Sequence, residues 1–186
     1  PQTPRDAGYG GRLMVAIGRV DVALVYLNHR RDTPSMKPYH FPFPFTPADP
    51  DKKRGPSDLV ALSTTTGVMP QFHYLREELY GLEFETTLGS VGLRGDASYV
   101  SSQSCITATL QEQRRPVVTG VLGADYNGPN NLYVNVSASH AQIQNYDKIL
   151  APNDKSTSFM SGNISLELLS GNIKLSYLGI FNLTDQ

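Results

Sequence analysis

Short and long connections alternate strictly along this chain, and that pattern limits its fold more than any single motif does. Runs with period-two alternation of apolar and polar residues fall at 12–17 and 20–29, 80–88 and 91–101, 116–126 and 132–145, and 158–168 and 173–182. Within each pair the link is brief: Gly18-Arg19, Gly89-Ser90, "NGPNN" and "LSGN". Each link contains glycine or asparagine, which tolerate the positive φ of hairpin turns. Between pairs the links are long, at 30–79, 102–115 and 146–156. A Greek-key sandwich has no reason to alternate in this way. An up-and-down meander with tight turns at one end and long loops at the other does so by construction. The spacing therefore predicts an all-β antiparallel meander, built as a transmembrane β-barrel or part of one, forming a single domain over 1–186.

Helical patterning is weak. Its best stretch, "YLREELYGL", is short and runs into a strand pattern. No apolar run approaches the roughly 20 residues of a membrane helix, but barrel strands cross with about 9–11 residues and carry only an alternating signal. The formal charge is −1, with no basic bias to mark a nucleic-acid partner. Cys105 is the sole cysteine, which excludes an internal disulfide framework. The chain opens with "PQTPRDAGYGG" and stops at "GIFNLTDQ", and the reading is of an internal stretch of a longer barrel.

Seven of the thirteen prolines lie within 34–56, so this part of the 30–79 connection is not central strand. It reads as a long Pro-rich loop folded toward a pore, with Phe41, Phe43, Phe45, Lys52, Lys53 and Arg54 as its constriction residues. A further strand is expected over 59–68.

Counting outward from the tight turns gives register, and register assigns faces. From Gly89-Ser90, Leu88 meets Val91, Thr86 meets Leu93, Phe84 meets Gly95, Leu82 meets Ala97 and Tyr80 meets Tyr99. That face is apolar and ends in an aromatic pair, the side-chain type enriched at membrane–water boundaries. On the other face Glu85 meets Arg94 and Glu83 meets Asp96. In the last hairpin Leu168 meets Ile173, Glu167 meets Lys174 and Ile164 meets Tyr177. Asp125, Asn135, Ser137 and Ser139 share the polar face of the third hairpin, and Arg12 and Asp21 that of the first. Gly95, Ala97, Gly120, Ala124, Gly162 and Gly179 sit on the apolar face, which suits contact with lipid better than an interlocked core. The polar face reads as a lumen wall, with Glu83, Glu85, Arg94, Asp96, Asp125, Glu167 and Lys174 as selectivity residues and Tyr80 and Tyr99 as interface aromatics.

The segments "YGLEFETTLGSVGLRGDASYVS", "VLGADYNGPNNLYVNV", "GNISLELLSGNIKLSYLGIFNLTD" and "GGRLMVAIGRVDVALVYLNHRRDTP" resemble a porin-like outer-membrane family of proteobacteria. That family is largely uncharacterised in function and similar in architecture to alginate-export-type barrels. The resemblance covers most of residues 10–185. It implies a channel in the bacterial outer membrane, with lipid around it, an unspecified small solute within it, and neither a catalytic residue nor a cofactor. Members are longer barrels and end in an aromatic strand terminus that this chain lacks.

Sites for bond-making chemistry are not legible. His29, His40, His73 and His140 are scattered with no close metal-ligand spacing. No nucleophile elbow, P-loop or dinucleotide fingerprint occurs. Glu83 and Glu85 have the spacing of lumen neighbours more than that of a glycosidase pair, and "REE" at 76–78 reads as a solvated charge run. The sequons at Asn135, Asn163 and Asn182 carry meaning only in a eukaryotic secreted protein. The expected function is passage of solutes through a polar lumen, without catalysis. The rival is a soluble β-barrel or sandwich binding a ligand or protein.

Overall fold

A computed structural model describes residues 7–31, 35–36, 72–107, 112–150, 154–169 and 172–184. The strands are β1 (Tyr9–Ile17), β2 (Val20–Arg30), β3 (Ser35–Met36), β4 (Phe72–His73), β5 (Arg76–Leu88), β6 (Val91–Ile106), β7 (Glu112–Asn127), β8 (Leu132–Ile143), β9 (Ser156–Leu168) and β10 (Ile173–Asn182). Eight of them form one sheet in the order β1-β2-β5-β6-β7-β8-β9-β10, each antiparallel to the next. The sheet is an open meander with β1 and β10 at its edges. β3 and β4 pair separately over two residues at the ends of the longest connection. Phe41, Phe43, Phe45, Lys52, Lys53, Arg54 and the strand expected over 59–68 lie outside the described residues.

The tight turns set the register as counted. Gly18 and Gly89 take φ of +65° and +64°, where a side chain would be strained. Ile17 pairs with Val20, Glu85 with Arg94, Tyr80 with Tyr99 and Glu167 with Lys174. The third turn uses Asn130 and Asn131 at φ near 58° and 57°. The fourth puts Leu169, not glycine or asparagine, at φ 51°.

Several strands run further than the alternation indicates. "YLREELYGL" is not helical: from Arg76 onward it lies in β5, paired with β2 from Arg30 to Val20. The 102–115 connection is mostly strand, because β6 continues to Ile106 and β7 begins at Glu112. Pro116 conceals this in the sequence, since proline cannot donate to a ladder. The structure accommodates it with a bulge: pairing shifts between Val100 and Gln103, opposite Pro116, whose carbonyl accepts from the Gln144 N–H at 2.8 Å.

The ladder also staggers in one direction. Pairing carries Ile17 to Val20, Thr86, Leu93, Ala124, Val136, Gly162 and finally Gly179. The row leaves β1 at its turn end and reaches β10 six residues above Ile173. With the turns at one level, that slip corresponds to strands tilted by about 30°.

Large apolar side chains stand exposed on one face of the sheet. Leu13, Leu24, Leu82, Leu122, Ile164 and Tyr177 all lie on the apolar face and are exposed, Leu122 at 63% and Tyr177 at 70%. On β8 the apolar-face residues Val136 and Ala138 are exposed, while the polar-face Asn135, Ser137 and Ser139 are half-buried. Ala23, at 2%, and Ser165, at 6%, are buried on the polar face. Among the described residues the buried apolar side chains are only Ala23, Leu75, Cys105, Val117 and Leu150. No second layer of described structure covers the apolar face.

Candidate functional site

Hairpin alternation and the β2–β5 pairing together assemble the polar face. Asp21 stands opposite Glu85, which stands opposite Arg94. Arg12 reaches across β2 to Glu83, its Nε and Nη2 both donating to Oε2 at 3.1 and 2.6 Å. These side chains, with Asp96, border one depression of about 150 Å³. Glu85 and Arg94 also border a second, of about 220 Å³, that includes Asp125 near the turns. Asp125 lies over Gly92, where an added Cβ would come within 2.7 Å of its Oδ2. Five of the seven expected selectivity residues thus fall in one connected region.

Glu167 and Lys174 do not join them. They pair with each other at 3.7 Å across β9 and β10, beyond β7 and β8. Between the two groups the polar face is neutral: Ser137 and Ser161 share a hydrogen bond of 2.7 Å, and Asn135 faces Asn163. Between the turns and the level of Tyr80 and Tyr99, the described polar face carries the carboxylates Asp21, Glu83, Glu85, Asp96, Asp125 and Glu167 against Arg12, Arg94 and Lys174. The excess of three negative charges makes it a cation-attracting surface at neutral pH. Arg12 and Asp21 were legible as polar-face residues, but their place beside Glu83 and Glu85 depends on a pairing that spans the longest connection.

On the apolar face the Tyr80–Tyr99 pair belongs to a longer row. Ring centroids run Tyr9 to Tyr26 at 6.3 Å, Tyr26 to Tyr80 at 5.2 Å and Tyr80 to Tyr99 at 6.3 Å, all tilted. Beyond this row, away from the turns, charge appears on both faces. Arg76 donates to Asn28 at 2.9 Å and Asn28 to Glu78 at 3.3 Å, while Glu112 sits 3.4 Å from both His73 and Arg114. "REE" is therefore partly built into a polar network instead of standing freely in solvent. Among the described residues no group of three or more metal-ligating side chains converges, and no helix is long and apolar enough to cross a membrane.

No protein-family model, curated protein or solved structure matches this chain.

Proposed function

We propose that this chain forms part of the wall of a porin-like channel in the outer membrane of a Gram-negative bacterium, with the apolar face toward lipid and the polar face toward an aqueous lumen. The observation that carries the reading is the uncovered apolar face: its large side chains, Leu13, Leu24, Leu82, Leu122, Ile164 and Tyr177 among them, are exposed, and no described layer packs on them. A soluble sheet would cover such a face. Dimensions support it. From Tyr80 to Leu88 is about 26 Å along β5 and, at a tilt of about 30°, about 23 Å in height, close to the roughly 25 Å apolar band of such barrels. The tyrosine row stands where an aromatic girdle would stand. Strands β5, β6 and β7 then extend beyond the bilayer on the long-loop side.

Passage would be governed by size and charge, with no bond made or broken. The surplus of carboxylates around Glu83, Glu85 and Asp96 favours cations. Arg12, Arg94 and Lys174 break the wall into patches and keep it from being uniformly acidic.

The test is a pair of arginine substitutions. Leu122→Arg puts a charge mid-height on the apolar face and should cost about 2–4 kcal/mol in the membrane. Ser98→Arg puts the same charge on the polar face and should insert normally. Vesicle flotation and detergent-purified yield read both variants. Equal tolerance of the two, or a wild-type chain that stays soluble without detergent, would replace this reading with a soluble β-domain that binds a ligand.

A further inference from the structure

The apolar face is not smooth. A groove of about 560 Å³ crosses β5 to β9 in its upper half, nearest the tyrosine row. That volume lies within the roughly 300–1,000 Å³ of sites that hold one small ligand. Gly95, Ala97, Gly120 and Ala138 supply its small residues, and Leu82, Phe84, Leu122 and Leu183 its bulk. Phe84 folds over Gly95 and fills the position a Cβ would take there. Gly120 differs, because a Cβ at that position would meet nothing within 4 Å.

The groove has one polar end. His140 and Ser158 are directly paired residues of β8 and β9, both lining it, and His140 Nδ1 and Ser158 Oγ share a hydrogen bond of 2.8 Å. Either histidine tautomer leaves this pair a donor to spare. If Ser158 donates to Nδ1, the Nε2–H remains; if Nδ1–H donates, the serine hydroxyl proton remains. His140 lies eight residues above the start of β8, as Tyr99 lies eight above the start of β6, so the donor sits at the height of the tyrosine row.

We infer that this groove is a lipid site, holding one acyl chain of a membrane phospholipid along Gly120, with an ester carbonyl oxygen accepting from the His140–Ser158 pair. The occupant follows from three features: an apolar channel of one-ligand size, a single donor at its upper end, and continuity with the band proposed to face lipid. The inference rests on that proposal and adds a specific bound lipid to it.

The experiment uses the full chain in phosphatidylethanolamine–phosphatidylglycerol vesicles containing a phosphatidylethanolamine with a diazirine near mid-chain. Flotation is measured first, then photolabelling is mapped by peptide mass spectrometry. Label should concentrate on peptides containing Gly120, Ala138 and Ser158. Gly120→Phe, whose ring has open space to enter, should reduce that label several-fold, and His140→Leu should reduce it too, while Gly120→Ala floats and labels like wild type. A chain that floats but labels evenly over its apolar face, or labels unchanged in Gly120→Phe, overturns the lipid site and leaves the channel reading standing. A bifunctional cross-linker added to the same vesicles that joins two copies at the groove overturns it in favour of a dimer contact. A chain that does not float overturns both.

Discussion

Three residues show how far local geometry decides tolerance. Gly95 and Gly120 occupy the same apolar face of adjacent strands, yet their surroundings differ. Phe84 occupies the space above Gly95, so Gly95→Ala should destabilise by about 1–3 kcal/mol through overpacking. Gly120→Ala meets open space and should be neutral or gain up to about 1 kcal/mol, since glycine weakens a strand interior. Comparing the two urea midpoints checks the contrast; equal shifts would mean that Phe84 does not hold that position. Leu169 is the third. It sits exposed at φ 51°, a conformation that costs a branched side chain roughly 1 kcal/mol or more. Leu169→Asn should therefore raise the unfolding midpoint by an amount equivalent to about 0.5–1 kcal/mol. By contrast, the Arg12–Glu83 pair is exposed, and its loss should change stability by less than about 1 kcal/mol.

At the level of elements, the hairpins were legible because a short turn of two to four residues transmits register in both directions. Every counted pair, from Ile17–Val20 to Glu167–Lys174, stands opposite its expected partner. Pairings across long connections carry no such signal. Nothing local in the sequence places Glu83 two residues diagonally from Arg12, because that contact needs β2 aligned on β5 across the residues between Arg30 and Arg76. The extensions of β6 and β7 were hidden for another reason: "EQRR" lacks alternation, and Pro116 reads as a strand start. There the bulge, a feature of the partner strand, determines the outcome. Cys105 lies in this extension, past the tyrosine row, and is 2% exposed. Burial raises its thiol pKa, with Arg31 and Arg115 opposing in part. The folded chain then keeps this proton to higher pH than the unfolded chain. The associated stability is intact below the unfolded thiol's pKa of about 8.5 and is lost as pH rises through and above it. Iodoacetamide at neutral pH should leave Cys105 unmodified in the folded protein and alkylate it fully in urea, with intact mass as the readout.

For the whole molecule, the acid surplus of the polar face predicts cation preference in the proposed channel. Single channels in a planar bilayer under a salt gradient should give a reversal potential of cation-selective sign, larger at low ionic strength where screening is weak. Glu83→Gln with Glu85→Gln should shrink it, and Arg94→Glu should enlarge it. An anion-selective or charge-blind channel would show that groups outside the described wall dominate. The stagger of the ladder has a different consequence. A row of paired residues does not stay at one depth: it leaves the turn plane at Ile17 and climbs to Gly179, covering most of the height of the apolar band. One hydrogen-bonded row is therefore a ramp, and the eight residues along it form a built-in depth gauge. Spin labels placed singly at Ile17, Leu93, Val136 and Gly179 would sample successive levels of the surroundings from a single line of neighbours. In a bilayer their oxygen and metal-chelate accessibilities would trace the hydrocarbon profile; around a sheet in water they would have no gradient to report.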